Sequence, residues 1–364
     1  MNDQLDLLNR LPLRNNLRGL TPYGAPQLDV PVLLNVNENT HGLPQEVADA
    51  IAARVQSAVG GLNRYPDREF TELREALANY LGHGLSAGNM WAANGSNEVL
   101  QQILQAFGGP GRRLLSFPPT YSMYPLLASG TDTEYVTVRR GADFGLTADQ
   151  AAKAVRDTAA NIVVLCSPNN PTGTALGLDV VEAVYEAGEA SQAIVIVDEA
   201  YAEFAHVGTD SALTLLSGRE RLIVSRTMSK AFALAGARVG YLAAAPQIAD
   251  ALRLVRLPYH LSAVTQATAL AALDHADALL ANVEEIKSQR DRIVSELTSL
   301  GLQPAPSDSN FVFFGGLKDP HRVWQGLLDA GVLIRDVGIA GHLRVTAGTE
   351  AETTAFLDRL RELL

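Results

Sequence analysis

LIVSRTMSKAFALAGARVG, residues 222 to 240, is the stretch around which the rest of the chain can be organised. An apolar segment at 222–224 leads into a polar turn with Thr227 and Ser229, then Lys230, then small residues up to Arg238. A lysine amine can form an imine with a carbonyl compound, and hydroxyls with a guanidinium can hold a phosphate. The stretch therefore suggests a strand that leads to a site for a phosphorylated carbonyl compound. A solvated lysine and arginine on an ordinary strand-turn-helix is the alternative, and taken alone it is favoured.

Composition indicates a soluble globular protein, because 47% of the 364 residues are apolar and can bury a large core. The 40 acidic and 29 basic side chains give a net charge of −11, which argues against general binding to nucleic acid or to an anionic membrane. The single cysteine, Cys166, allows no intramolecular disulfide and no cysteine-based metal cluster, and we expect no metal site. The N-terminal residues lack the apolar core of a signal peptide, and no run approaches about 18 apolar residues. We therefore expect a cytoplasmic location.

Apolar segments of β character alternate with helical segments through the middle of the chain. The β segments lie at 113–117, 133–138, 161–166, 193–198, 222–225 and 239–243, with helical patterns between them, as at 148–157 and 178–190. This alternation is typical of a mostly parallel sheet covered by helices on both faces. We therefore predict one large α/β domain over residues 46–254.

The two ends of the chain do not show this regular alternation of strands and helices. Residues 1–45 contain several prolines and a polar run, and we predict that they form an arm joined to a small domain. After Pro258 we predict helices at 263–273, 276–300, 322–330 and 350–364, and short strands at 311–314, 332–335 and 343–346. Residues 255–364 are therefore predicted to form a small C-terminal α+β domain.

The segment at 94–98 pairs a glycine turn with Ser96 and Asn97 in front of a periodic helix. Such a turn leaves free backbone N–H groups at the helix start, and these can cradle an anion. Read alone, the segment is equally well explained as a capped helix that binds nothing.

Polar residues follow consecutive strands of the predicted sheet, where ligands bind in α/β folds. Asn170 follows the segment that ends at 166, Asp198 ends the next one with Tyr201 close behind, and Lys230 follows the third. Asp198 alone could be a cap or an ion-pair partner. Together, however, these groups match a pyridoxal ring, which needs an amine for the imine, a carboxylate for the ring nitrogen and donors near the ring hydroxyl. We therefore predict pyridoxal 5'-phosphate as the cofactor.

On these residues the sequence resembles the fold-type-I pyridoxal-phosphate-dependent aminotransferases of class I and II. The matching motifs are NRYPD at 63–67, NGSNE at 94–98, FPPTYSMY at 117–124, SPNNPTG at 167–173, DEAY at 198–201, TMSKAFALAGARVGY at 227–241, SNFVFF at 309–314 and LRVTAGT at 343–349. The resemblance covers nearly the whole chain. It implies a transaminase that acts as a homodimer with shared active sites, and that takes small molecules including glutamate and 2-oxoglutarate as substrates.

The resemblance also implies roles for single residues. Lys230, Asp198 and Tyr201 would be catalytic, with Lys230 bonded to the cofactor and Asp198 paired with its ring nitrogen. Asn170 and Tyr201 would contact the ring hydroxyl. The other implied cofactor contacts are Ser96, Asn97, Thr227, Ser229 and Arg238 at the phosphate, Tyr121 stacked on the ring, and Tyr65 at the phosphate in the neighbouring subunit.

For the substrate, the resemblance implies that Arg344 holds a carboxylate, since a guanidinium binds this group with two parallel hydrogen bonds. Arg335 would hold a second anionic group, so that a phosphate-bearing amine and glutamate could use the same pair in turn. Tyr23 and Tyr259 resemble residues that line the substrate pocket, although packing alone explains them equally well.

One segment departs from the family pattern NENPYG, because this chain has NENTHG at 37–42. Asn37 keeps its place and is expected to reach the substrate site, whereas Thr40 and His41 replace the usual residues. The contacts of this segment with the substrate are therefore open.

Several activities remain open. The leading one is transamination of a phosphate-bearing amine, and the alternatives are an aromatic amino-acid aminotransferase and a decarboxylase of an amino-acid phosphate. A cofactor-binding regulator is a further alternative, but residues 1–45 are too few and the chain too acidic to supply a DNA-binding domain.

Overall fold

The computed structural model describes residues 10–19 and 24–364, which form helices and strands around one long central sheet. The α-helices in this part are α1 (Gln45–Val59), α2 (Thr71–Leu81), α3 (Ser96–Phe107), α4 (Met123–Gly130), α5 (Ala148–Thr158), α6 (Leu178–Ala187), α7 (Pro246–Arg253), α8 (Ala263–Asp274), α9 (Ala276–Leu280), α10 (Val283–Ser299), α11 (Pro320–Asp329) and α12 (Glu350–Leu363). The strands are β1 (Val32–Leu33), β2 (Met90–Ala93), β3 (Arg113–Ser116), β4 (Glu134–Thr137), β5 (Ile162–Cys166), β6 (Ile194–Asp198), β7 (Leu222–Thr227), β8 (Gly240–Ala244), β9 (Gln303–Pro304), β10 (Phe311–Gly315), β11 (Val332–Leu333) and β12 (Leu343–Thr346). Short 3-10 helices lie at Asn15–Leu17, Ala87–Asn89, Ala202–Phe204, Ala212–Leu215 and Ala235–Ala237.

Within the described residues the central sheet has seven strands in the order β2-β8-β7-β6-β5-β3-β4. The five strands β3, β4, β5, β6 and β7 are parallel to one another, and β8 is antiparallel to both of its neighbours. Every residue of β5, β6, β7 and β8 is buried, as expected for apolar strands covered on both faces. The predicted α/β fold class is therefore confirmed.

The predicted β segments of this sheet match the observed strands to within one or two residues at each end. Two predictions outside the sheet were wrong in detail. The helix predicted over 276–300 is broken at 281–282, and the second of these residues is Asn282, whose short polar side chain disfavours helix interiors. The strand predicted over 332–335 ends at Leu333, and Arg335 forms only an isolated bridge with Arg344.

The C-terminal part contains a second, antiparallel sheet in the order β12-β10-β9. Near it, β1 from the N-terminal segment pairs in parallel with β11. The N-terminal segment therefore lies against the C-terminal part. Helix α8, in contrast, packs against α1 and α2. The domain boundary at residues 254 and 255 stays a prediction.

The strand order determines where the polar loops meet. The chain runs from β3 out to β4 and then returns to β5 on the other side of β3, and such reversals open a crevice at the carboxyl ends of the strands. Residues 167–173, 198–201 and 227–230 follow three adjacent parallel strands, so they all lie at this edge.

Gly240, the first residue of β8, brings the start of α3 directly onto the sheet. A Cβ atom at this position would lie 2.1 Å from the Ser96 backbone nitrogen and 2.2 Å from the Gly95 carbonyl carbon. Backbone atoms cannot move aside as a flexible side chain can. Only glycine therefore allows the N-terminus of α3 to sit at the edge of the sheet.

We expect Gly240→Ala to lower the free energy of unfolding by roughly 1–3 kcal/mol, because the added methyl group overpacks two backbone segments. Urea unfolding would measure the change. Gly130→Ala is the matched control, since a Cβ at Gly130 meets nothing within 4 Å. Equal stability of the two variants would contradict this account.

Candidate active site

A cavity of about 590 Å³ lies at the carboxyl edge of the central sheet. Its walls come from the strand ends, from the N-terminal segment and from the C-terminal sheet. Most of the predicted site residues line it, namely Asn37, Ser96, Asn97, Tyr121, Asn170, Asp198, Tyr201, Thr227, Ser229, Lys230, Arg238, Arg335 and Arg344.

Lys230 enters the cavity from the turn after β7. Its Nζ donates a hydrogen bond to the Val36 carbonyl oxygen at 3.1 Å, so the N-terminal segment lies directly against the amine. Burial lowers the pKa of Lys230 to about 8, with a further contribution from the Arg344 guanidinium, whereas Glu38 opposes the shift. About a tenth of this amine is therefore neutral at pH 7, far more than for an ordinary lysine, and the neutral form is the one that a nucleophile or a base requires.

Asp198 ends β6 at the floor of the cavity and is only 3% exposed. Its Oδ2 accepts the hydroxyl of Tyr124 at 2.8 Å, and its Oδ1 accepts the hydroxyl of Ser225 at 2.9 Å. Burial raises the pKa of Asp198, and the two hydroxyls oppose this rise. The carboxylate is thus held in place in a setting where a nearby positive charge would be strongly favoured.

The start of α3 and the turn after β7 form an anion cradle. The Ser229 hydroxyl accepts hydrogen bonds from Thr227 Oγ1 at 3.0 Å and from Arg238 Nη1 at 3.4 Å. A Cβ at Gly95, whose φ is +86°, would lie 2.4 Å from Arg238 Nη2, so the guanidinium packs against bare backbone next to Ser96. Free N–H groups at a helix start, two hydroxyls and a guanidinium are donors suited to a phosphate.

Tyr201 and Asn170 belong to one network with the C-terminal sheet. The Tyr201 hydroxyl accepts hydrogen bonds from Asn37 Nδ2 at 3.1 Å and from Asn170 Nδ2 at 3.4 Å. Arg344 donates from Nη1 to Asn170 Oδ1 at 2.5 Å and from Nη2 to the Asn35 carbonyl oxygen at 2.8 Å. Burial raises the pKa of Tyr201 to about 12, so the residue remains a phenol that can donate its proton in a hydrogen bond.

Arg335 and Arg344 present two cations at the same wall of the cavity. Their backbones exchange two hydrogen bonds, Arg335 N to Arg344 O at 2.9 Å and Arg344 N to Arg335 O at 3.0 Å. This pairing holds the two side chains next to each other. The wall can therefore bind an anionic substrate group despite the negative net charge of the chain.

Tyr121 lines the cavity and donates its hydroxyl to Asn97 Oδ1 at 3.2 Å. Its ring meets that of Tyr124 edge to face at 5.5 Å between centroids. The hydrogen bond and the ring contact fix one aromatic face beside the start of α3, where a flat ring could stack.

These groups fit the predicted cofactor. The cavity combines a phosphate cradle, an amine of lowered pKa and a buried carboxylate that lacks a cationic hydrogen-bond partner among the described residues. Pyridoxal phosphate carries a phosphate that suits the cradle, an aldehyde that suits the amine and a basic ring nitrogen that suits the carboxylate.

Two predicted residues lie outside the cavity of this chain. Tyr65 is 79% exposed, and its ring stacks on Tyr259 at 4.4 Å between centroids. Neither residue lines this cavity, and the roles of both stay predictions. Tyr23 lies outside the described residues.

The departure at Thr40 and His41 also lies away from the cavity lining. His41 Nε2 is 3.8 Å from Glu285 Oε2 of α10. The two substituted residues therefore contact the protein rather than the cavity, and Asn37 is the residue of this segment that reaches the network around Tyr201.

Three residues of the site were not predicted from the sequence. Ser225 and Tyr124 hold Asp198, and Arg140 lies buried beneath the cavity. Arg140 donates from Nε to the Phe117 carbonyl oxygen at 3.1 Å and from Nη2 to that of Cys166 at 3.4 Å, so it ties the ends of two strands together. A hydroxyl directly after three apolar strand residues was an available signal for Ser225. For Arg140 the sequence contains no such signal.

Comparison with known proteins agrees with this geometry. The family model described as aminotransferase class I and II matches residues 30–360. A histidinol-phosphate aminotransferase of Paenarthrobacter aurescens is 79% identical over 364 residues, 100% of this chain and 98% of that protein. One from Thermobifida fusca is 57% identical over 353 residues, 97% of this chain and 95% of that protein. The crystal structure of histidinol-phosphate aminotransferase from Sinorhizobium meliloti in complex with pyridoxal-5'-phosphate has a TM-score of 0.86 and 27% identity, and covers 97% of this chain and 98% of that chain.

The lowered pKa of Lys230 predicts how the apoprotein reacts with pyridoxal phosphate. Because only the neutral amine attacks the aldehyde, we expect the rate of imine formation to rise about tenfold per pH unit below pH 8 and to level off above it. Stopped-flow absorbance would measure the rate, with Lys230→Ala as the control that forms no adduct. A rate that keeps rising to about pH 10, as for an ordinary lysine, would contradict this account.

Proposed function

This chain belongs to the class I and II aminotransferase family, and we propose that it is a pyridoxal-phosphate-dependent transaminase of histidine biosynthesis. Its substrates would be histidinol phosphate and 2-oxoglutarate, and its products imidazole-acetol phosphate and glutamate. The observation that carries the proposal is the 79% identity, over the full chain, to a protein named for this activity. The site supports it, since Lys230, Asp198 and the paired arginines line one cavity.

The residues of the cavity divide the work of holding the cofactor. When bound, pyridoxal phosphate supplies an aldehyde that links to an amine and a ring that takes up the electrons of a broken bond. Lys230 would provide the covalent attachment, and the α3 N-terminus with Ser229 and Arg238 would hold the phosphate. Asp198 would pair with the ring nitrogen and favour its protonated form.

Lys230 has a second role once the substrate amine has taken its place. Its free Nζ, whose neutral fraction is increased because burial and Arg344 lower its pKa, would accept the proton from the substrate carbon that bears the amino group. The same nitrogen would carry this proton and give it up again in the second half of the transfer. Because Nζ lies against the Val36 carbonyl oxygen, the N-terminal segment limits the positions that the amine can take.

The arginine pair explains how one site could accept two different amino-group donors. Arg335 and Arg344 can hold the phosphate of histidinol phosphate in one half-reaction, and a carboxylate of glutamate in the other. Arg344 also holds Asn170, so binding at this wall is coupled to the residue expected at the ring hydroxyl.

We further propose that the protein is a homodimer. The stacked pair Tyr65 and Tyr259 is flanked along the chain by exposed apolar residues, and we call this surface the tyrosine patch: Val59, Leu62, Tyr65, Leu254, Leu257 and Tyr259. Exposed apolar patches of this kind mark contact surfaces. A second copy on the patch would cover it, and in a two-fold dimer each chain would contribute Tyr65 to the other's site.

A cytoplasmic location is also proposed. Among the described residues no helix is long and apolar enough to cross a membrane. The lone cysteine, Cys166, is buried and unpaired, which suits a reducing compartment.

We expect Arg335→Ala to raise the KM for histidinol phosphate by roughly 10- to 100-fold, because a charge-assisted contact with the phosphate is lost. The KM for phenylalanine, which carries no phosphate, should change much less. Coupled assays with 2-oxoglutarate would measure both constants. Arg322→Ala is the control, since Arg322 is exposed on α11 and does not line the cavity.

An equal effect of Arg335→Ala on both substrates would contradict the phosphate role. Faster turnover of phenylalanine by the unmodified protein would favour the aromatic aminotransferase. Release of carbon dioxide without 2-oxoglutarate would reveal the decarboxylase.

Mixed dimers test the shared site. We expect Lys230→Ala and Tyr65→Ala chains to be poorly active alone but to regain about a quarter of wild-type activity when co-expressed, because half of the dimers then contain one intact site. Activity would be measured on tagged, purified mixtures. Absence of any gain in mixed dimers, confirmed by tag pull-down, would contradict the contribution of Tyr65 to the partner.

A further inference from the structure

The Asp198 carboxylate is held by two neutral hydroxyls, one on each oxygen. Tyr124 donates to Oδ2 at 2.8 Å and Ser225 donates to Oδ1 at 2.9 Å. Both donors are themselves buried, Tyr124 at 2% exposure and Ser225 at 0%. Water therefore does not share in holding the carboxylate on these sides.

The position of Ser225 follows from the sheet register. Ser225 and Asp198 are direct partners in the parallel pair of β7 and β6, so their side chains lie on the same face of the sheet. The three residues before Ser225 in β7 are apolar and buried. A hydroxyl in such a strand costs free energy unless it is hydrogen-bonded, and Asp198 supplies the acceptor.

Tyr124 approaches from the other side. It lies in the first turn of α4, and its ring packs edge to face on Tyr121 of the cavity wall. The phenol therefore has one fixed direction, and its proton points at Oδ2 of Asp198.

Neutral donors have a different effect from a cation at this place. An arginine or lysine beside Asp198 would fix the carboxylate but also neutralise it. Two hydroxyls fix both oxygens and leave the negative charge largely uncompensated, which makes pairing with a positively charged ring nitrogen more favourable.

We propose that Tyr124 and Ser225 are positioning residues that orient the Asp198 carboxylate toward the cofactor's ring nitrogen and preserve its charge for that contact. This inference rests on the proposed role of Asp198. It predicts that removing either hydroxyl weakens cofactor binding and lowers the positive charge on the ring, while the fold is kept.

The test uses Tyr124→Phe and Ser225→Ala in the full-length chain. Tyr241→Phe and Ser116→Ala are matched controls, because both residues are 0% exposed in the same sheet and neither is one of the two hydroxyl donors to Asp198. Two readouts apply: the Kd of the apoprotein for pyridoxal phosphate, from fluorescence quenching, and the pH at which the absorption of the bound cofactor changes.

For each of the two variants we expect a Kd about tenfold higher than for the unmodified protein. We also expect the absorption change to move to higher pH, because a less positive ring repels the proton shared with Lys230 less strongly. The controls should match the unmodified protein in both readouts. Circular dichroism and thermal unfolding establish that each variant is folded.

Asp198→Asn separates failure of the inference from failure of the proposed role of Asp198. If this variant changes neither readout, the role of Asp198 itself is wrong. If it changes both, while Tyr124→Phe and Ser225→Ala behave like the controls, the inference is overturned and the proposed function stands. In the Asp198→Asn background, Ser225→Ala should add little, since the two act through one contact. Should Ser225→Ala fail to fold, Ser225→Cys keeps the volume with a weak donor and is expected to show the same shifts.

Discussion

This site depends on a buried carboxylate that is held by two hydroxyls and that has no cationic hydrogen-bond partner in the part of the chain that the structure describes. Asp198 can occupy such a place only because β6 is a central strand, covered on both faces and flanked by β5 and β7. The same two neighbours deliver Asn170 and Lys230 to the edge where Asp198 emerges. The central position of β6 thus has two effects: it imposes the free-energy cost of burying the Asp198 charge, and it brings Asn170 and Lys230 next to that charge.

The central sheet alone does not complete the cavity. The N-terminal segment supplies the carbonyl oxygen of Val36 to Lys230 and the amide of Asn37 to Tyr201. The C-terminal sheet supplies Arg344, which contacts Asn170 and also lowers the pKa of Lys230. Three parts of the chain that are far apart in sequence therefore act on the Lys230 amine and the Tyr201 phenol. A change in any one of these parts would alter the surroundings of both groups.

Much of this arrangement could be predicted from the sequence, because strand periodicity places Asn170, Asp198 and Lys230 at one edge before any side-chain contact is known. The helix start at Ser96 was predictable for a similar reason, since a glycine turn before a periodic segment marks the beginning of a helix. These predictions rest on local patterns, and local patterns are what a sequence displays directly.

The rest depends on contacts between distant elements. Tyr124 lies on a helix and Arg140 on a loop, and both contact the strand ends. The spacing of residues along the sequence does not show that this helix and this loop approach the strand ends. Tyr259 was expected at the pocket but stacks on Tyr65 outside the cavity of its own chain. The position of Tyr259 depends on the contact between its loop and the loop that carries Tyr65. Its proposed role would also depend on contact with a second copy of the chain.

The most direct measurement of the central claim, transamination by this one cavity, is the absorption spectrum of the purified protein loaded with pyridoxal phosphate. Addition of histidinol phosphate alone should convert the cofactor to its amine form in a single turnover, and 2-oxoglutarate should then restore the original spectrum. A spectrum that does not change with histidinol phosphate, but changes with phenylalanine, would contradict the assigned substrate. A spectrum that responds to no amine would contradict transamination itself.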